Sequence, residues 1–142
     1  MTWILDTDHV SLMLRNNRTV IDRLDAVRSR ASVSIITVQE VFNGWVGQLN
    51  QPQNNREILL AKYHQLYQAT ELFRKVQILE FDGRAYDCYT QLLEQNSSLR
   101  KHRLQQDMRI AAIALVNGAT VVTRNRRDFG LVPGLSIEDW SV

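Results

Sequence analysis

The sequence predicts an α/β fold of three layers, α/β/α, around a central, mainly parallel sheet of four to five strands. Three observations carry that expectation. Short apolar runs of strand character alternate with segments whose apolar residues recur at steps of three and four. The strand runs lack the polar–apolar alternation of a sheet with one wet face, as expected when helices cover both sides. Breakers are sparse, with two prolines and six glycines in 142 residues, so no linker divides the chain. Residues 1–142 therefore read as one domain, long enough to bury a core.

The elements follow in order. Trp3–Leu5 is the first strand, and Val10–Leu14 and Val20–Val27 are helical patterns behind it. Ser32–Ile36 is the second strand and runs into a helix over Val38–Leu49. The polar stretch Asn50–Asn55, NQPQNN, connects to a long amphipathic pattern, Ile58–Phe73, which carries Tyr63, Leu66 and Tyr67. Val76–Phe81 is the third strand, followed by the helix Ala85–Leu93. Asn96–Arg103 is a basic loop before the small-residue helix around Ile110–Val116, which Asn117-Gly118 terminates. Ala119–Thr123 and Leu135–Ile137 complete the sheet.

Composition excludes several function classes. The single cysteine, Cys88, can form neither an internal disulfide nor a thiolate metal cluster, and suits a reducing compartment. The apolar run Ile110–Val116 falls well short of the roughly 20 residues a membrane span requires. No basic leader precedes Asp6, so no signal peptide is visible. A cytoplasmic protein with no membrane partner is expected. The net charge of +2 selects no partner by itself, and His9, His64 and His102 lack metal-ligand spacing. His9 reads as a local packing or polar residue, and Trp45 and Trp140 as core or subunit contacts.

In parallel sheets ligands bind beyond the carboxyl ends of the strands, and acids stand at those positions. Asp6 follows the first strand, with Asp8 and Ser11 beyond it; each also suits the start of a helix. Glu40 follows the second strand, where Thr37-x-x-Glu40 also reads as a capping box. Asp107 opens the small-residue helix and complements its dipole. Asp128 lies beyond the strand Ala119–Thr123, where Thr123 and Asn125 are turn-competent neighbours. Each acid has an ordinary local explanation. Together, four acids brought to one edge would repel without a cation. Such a set suits Mg2+ or Mn2+ and the hydrolysis of a phosphodiester. Basic loops flank it: Arg100, Lys101 and Arg103 before Asp107, and Arg124, Arg126 and Arg127 before Asp128. These would let a nucleic-acid backbone approach.

The stretches ILDTDHVS, SIITVQEVFNG and DMRIAAIALVNGATVVTRNRRDFGLVPGLSIEDW resemble, in this order, the PIN-domain ribonucleases, and within them the VapC toxins of prokaryotic toxin–antitoxin pairs. The resemblance spans nearly the whole chain. It implies metal-binding acids at Asp6, Glu40, Asp107 and Asp128; Thr7, Asp8, Ser11, Thr123 and Asn125, close to them in sequence, are candidate supporting polar groups. It also implies a Mg2+- or Mn2+-dependent endoribonuclease that forms a homodimer. A cognate antitoxin would occupy its active-site groove, and operator DNA would be met only through that antitoxin. The chain departs from the family pattern where Asp8 replaces the usual Asn, where Leu104-Gln105-Gln106 precedes Asp107, and where the last acid stands at Asp128 rather than at Asn125. Two alternatives remain open at this point. One is a PIN-like module that binds RNA or protein without cutting. The other is a haloacid-dehalogenase-type phosphatase with Asp6 as nucleophile and Asp8 as acid/base, for which no lysine or later acidic pair offers a match.

Overall fold

The computed structural model describes residues 1–142. Five strands, β1 (Trp3–Leu5), β2 (Ala31–Ser34), β3 (Gln77–Leu79), β4 (Thr120–Val122) and β5 (Ile137–Glu138), form one sheet in the order β3-β2-β1-β4-β5. Every pairing is parallel. The helices are α1 (Thr7–Leu14), α2 (Arg18–Val27), α3 (Ile35–Leu49), α4 (Arg56–Lys75), α5 (Gly83–Gln95), α6 (Gln105–Val116) and the single turn α7 (Arg126–Phe129). No helix is long and apolar enough to cross a membrane.

Alternation along the central strands builds two cores. Side chains on a strand point to opposite faces in turn, so Trp3 and Leu5 enter one apolar cluster and Ile4 the other. On the Ile4 side, Val121 shares a cluster with Ala111, Ala112 and Ala114 of α6 and Leu92 of α5. These alanines let α6 lie close against the sheet. On the opposite side, Leu5, Val33 and Val122 pack with Val10 of α1, Val20 of α2, Val41 of α3 and Phe73 of α4, and Trp140 closes that core. The three expected layers follow from this division.

Side-chain caps fix most helix starts. Asn17, Asn55 and Asp82 accept from the backbone N–H three residues on, at 3.1, 2.9 and 3.0 Å. Gly118, at φ 62°, ends α6 in the left-handed region that glycine tolerates. Gly47, by contrast, lies inside α3 with open space where a Cβ would sit. Glycine there costs roughly 0.5–1 kcal/mol relative to alanine. Gly47→Ala is therefore expected to raise the melting temperature by a few degrees, which thermal unfolding measures directly.

The elements differ from the sequence reading mainly at their ends: the helices start two to five residues earlier than their apolar patterns, and the fourth strand is trimmed to Thr120–Val122. The second strand ends at Ser34 rather than Ile36, because the Ser34 side chain accepts from the Thr37 N–H at 3.1 Å and starts α3 at Ile35. The third strand is shorter than Val76–Phe81, and as an edge strand it leaves Gln77 and Ile78 exposed. The fifth is shifted to Ile137–Glu138. The basic stretch Asn96–Arg103 holds two short 3-10 turns, Ser97–Arg100 and His102–Leu104.

Candidate functional site

The strand order reverses at β1: the chain moves outward to β2 and β3, then returns to the far side of β1 at β4. The crevice beyond the carboxyl ends of β1 and β4 is where such sheets bind ligands. A cavity of about 540 Å3 lies there, lined by Asp6, Thr7, Asp8, Ser11, Glu40, Asp107, Arg124 and Asn125, none of them hydrophobic.

Asp6 is buried and does two jobs. It caps α1 by accepting from the His9 N–H at 2.8 Å, and the same oxygen stands 3.2 Å from His9 Nδ1. His9 is wholly buried, and its Nε2 accepts from the Trp140 N–H at 3.3 Å. That bond assigns the ring hydrogen to Nδ1, where it is donated to Asp6. The sequence reading of His9 as a local polar residue thus understates it: the ring ties Asp6 to the C-terminal segment. The Asp-x-x-His spacing across a helix start was the available signal.

Glu40 is not part of a capping box. With Ser34 as the cap, Glu40 lies in the second turn of α3, and its carboxylate accepts from Thr7 Oγ1 at 2.6 Å. Thr37, expected to be the cap, is buried, its hydroxyl 3.1 Å from that of Thr7. The local capping reading fails, and Glu40 is left facing the crevice.

Asp107 stands in the first turn of α6, which has no side-chain cap. Its carboxyl is pushed up to about 6, first by burial and then by the charges of Glu40, Asp6 and Asp128; a hydrogen bond from Asn125 works the other way. Asn125 Nδ2 lies 3.4 Å from Asp107 and 2.9 Å from Asp128, while its Oδ1 accepts from the Asp128 N–H at 3.3 Å. Thr123, fully buried, accepts from the Asn125 N–H at 2.9 Å and fixes the turn.

Asp128 departs from the expectation that it completes the pocket. It does not line the cavity. Both of its oxygens accept from Arg103 Nη1 at 3.1 Å, and Arg127 reaches them with Nε at 3.1 Å and Nη2 at 3.3 Å. The Arg127 guanidinium, joined by Asn125 and Arg103, outweighs burial and holds the carboxyl down at about 2. The basic loops are correspondingly less available than the sequence implied. Arg103 and Arg127 are paired with Asp128, and Arg124 grips Asp8 through Nε at 2.6 Å and Nη2 at 3.0 Å. Arg100 donates to the Leu93 and Glu94 carbonyls at the end of α5. Lys101 and Arg126 have no such partner. The Asp8–Arg124 pair also removes the free general acid that the phosphatase alternative requires.

The cavity therefore holds four carboxylates against one guanidinium, and Asp8 absorbs that one. Asp6, Glu40 and Asp107, delivered from the ends of β1 and β2 and the start of α6, keep unmatched negative charge in a partly buried space. No three of the acids stand together as a finished metal cage; hydrogen bonds from His9 and Thr7 hold Asp6 and Glu40 in place instead. An all-oxygen donor set with surplus negative charge fits a hard divalent cation.

The PIN-domain family model matches residues 4–135. The chain is 27% identical over 141 residues to the tRNA(fMet)-specific endonuclease VapC of Salmonella typhimurium, covering 99% of this chain and 98% of that protein. It is 23% identical over 142 residues to the protein of the same name from Shigella flexneri, with 99% of each covered. Among solved structures, DNA-bound VapBC from Salmonella typhimurium superposes with a TM-score of 0.78 at 26% identity, over 99% of this chain and 98% of that one.

Proposed function

The chain belongs to the PIN-domain family, and on that premise we propose that it is a metal-dependent endoribonuclease, the VapC-type toxin of a toxin–antitoxin pair, acting in the cytoplasm as one nuclease domain. The observation that carries the reading is the cavity that Asp6, Glu40 and Asp107 line together, where the one guanidinium, Arg124, is taken up by Asp8. These three residues would hold Mg2+, or Mn2+ in its place. Such an ion, when bound, would supply positive charge to the scissile phosphate and would lower the pKa of an attacking water.

The chain's own groups prepare that site. His9 fixes one oxygen of Asp6, and the Thr7 hydroxyl fixes one of Glu40, leaving the other oxygen of each available. The Asn125 amide steadies Asp107 from the side of Asp128. Asp128 serves as the anchor of this assembly, pinned by Arg103 and Arg127. Arg124, half-exposed at the cavity wall, is placed to exchange Asp8 for an RNA phosphate. Lys101 and Arg126 remain free for the backbone on either side.

The relatives are named for tRNA(fMet), which makes that RNA the first substrate to try. The VapBC structures support a cognate antitoxin as partner, with operator DNA reached through it, and a homodimer is proposed on the same family grounds. The test is cleavage of tRNA in Mg2+ or Mn2+. Activity is expected to vanish in EDTA and in Asp6→Asn, a substitution that keeps the helix cap because Asn caps as well as Asp. A variant that cuts like the wild type would remove Asp6 from the site. RNA binding without cleavage under any divalent ion would favour the non-catalytic module instead.

A further inference from the structure

A second cavity, of about 510 Å3, adjoins the acidic one between α1, α3 and α4, and shares Thr7, Ser11 and Glu40 with it. We propose that this cavity is a nucleotide subsite: it takes the base and phosphate of the residue next to the scissile bond of a single-stranded RNA. The proposal rests on the nuclease reading for its occupant, but on separate residues for its binding.

Three kinds of chemistry meet in its walls. Trp45 is half-buried, packed against the apolar core on this side of the sheet, and also lines the cavity. A ring steadied in that way is a stacking surface for a base. Gln48, Gln65 and Gln68 bring amides, each able to donate and accept along a base edge. Two cations line the space, and their states differ. Lys62 is consumed, donating to the Gln48 carbonyl at 3.0 Å and to Asn54 Oδ1 at 2.7 Å, which clamps the connection between α3 and α4. Arg15 is exposed and pairs with no carboxylate, so its guanidinium is free for a phosphate.

The floor is open as well. A Cβ built on Gly44 of α3 would meet nothing within 4 Å. Only three of the twelve lining residues are hydrophobic. Grooves that take an amphipathic helix present an apolar surface; a stacking ring, amides and a lone cation suit a nucleotide better. Continuity with the carboxylates gives the subsite a purpose, since an RNA held there delivers its next phosphodiester to Asp6 and Glu40.

The experiment measures binding of short fluorescein-labelled single-stranded RNA to the full chain by anisotropy in EDTA, so that no cleavage intervenes. Trp45→Leu and Arg15→Glu are each expected to weaken binding about tenfold, while Trp45→Phe, which keeps a stacking ring, stays within about twofold. Gly44→Leu fills the cavity and is expected to weaken RNA binding by at least as much, with no loss of melting temperature because leucine favours the helix. In Mg2+, the same variants should raise KM and leave kcat nearly unchanged. Wild-type affinity in both Arg15→Glu and Gly44→Leu would overturn the proposal. So would equal losses in Trp45→Leu and Trp45→Phe, or variants that lose a polypeptide partner and keep RNA. RNA binding that depends on these residues in a protein that never cleaves would sink the nuclease reading and leave the subsite standing. Cleavage with an unchanged KM in all variants would do the reverse.

Discussion

Asp107→Asn is expected to abolish RNA cleavage and, in the same protein, to raise the melting temperature of the metal-free form at neutral pH. The loss of activity follows from the proposed ligand role. Removing a group that merely supports a metal ligand already costs about 10–100-fold, so removing a ligand should exceed roughly a hundredfold. The gain in stability follows from the electrostatics. The Asp107 carboxyl is raised from 3.8 to about 6 by burial and by Glu40, Asp6 and Asp128. The folded chain thus holds a proton that the unfolded chain releases above pH ~4. As pH rises from about 4 to about 6, the folded state loses stability relative to the unfolded one, and above that window it carries the full cost of an unwelcome charge. A shift of this size corresponds at most to about 3 kcal/mol, and solvent screening at this half-buried group reduces it. Part of that is offset in the variant by the lost dipole complement at the start of α6. A rise of several degrees at pH 7 in EDTA is expected, shrinking towards zero near pH 4. Mg2+ should stabilise the wild type by binding the folded state alone and should do little for the variant. Calorimetry at the two pH values checks the sign: a variant that melts lower than wild type at pH 7 without metal would make Asp107 a structural residue.

Asp128→Ala is expected to do the opposite. Its carboxyl is lowered to about 2 by the Arg127 guanidinium, with Asn125 and Arg103 adding to it. Such a group stabilises the fold above pH ~4 and loses that contribution as pH falls towards about 2. The two guanidiniums are 50% and 77% exposed, so solvent screens much of the pairing. Truncation nevertheless leaves the Asn125 amide without its stronger partner and strips Arg103 and Arg127 of the carboxylate that ties them together. A loss of about 2 kcal/mol at pH 7, several degrees in melting temperature, is expected. Mn2+ binding, followed by the ion's spin resonance, should survive in Asp128→Ala and weaken sharply in Asp107→Asn. If Asp128→Ala melts like the wild type but fails to bind Mn2+, then Asp128 ligates the ion directly and the anchoring role is wrong.

These two acids looked alike in the sequence, and their separation shows where local reading stops. Both followed basic stretches, and both had a turn or helix start as their ordinary explanation. Asp107 met other carboxylates across the sheet edge; Asp128 met Arg103 from 25 positions earlier. Glu40 teaches the same lesson at shorter range. Ser34 and Thr37 are both competent caps, and no local feature chooses between them. Burial of Ile36 against the α5–α6 core goes with the start at Ile35, which carries Glu40 beyond the first turn.

What the amino-acid order determined by itself was whatever depends on neighbours along the chain. Hydrophobic spacing laid down alternating strands and helices, unbroken apolar strands required cover on both faces, and covalent adjacency put Asp6 at the end of β1 and Glu40 and Asp107 near helix starts. What only the tertiary structure decided was who meets whom. Arg124 neutralises Asp8 across 116 positions, Thr7 holds Glu40 across 33, and His9 joins Asp6 to Trp140 across 131. Charge and hydrogen bonding act through space over a few ångströms, and distances that short between remote residues exist only once the sheet has brought its strand ends together.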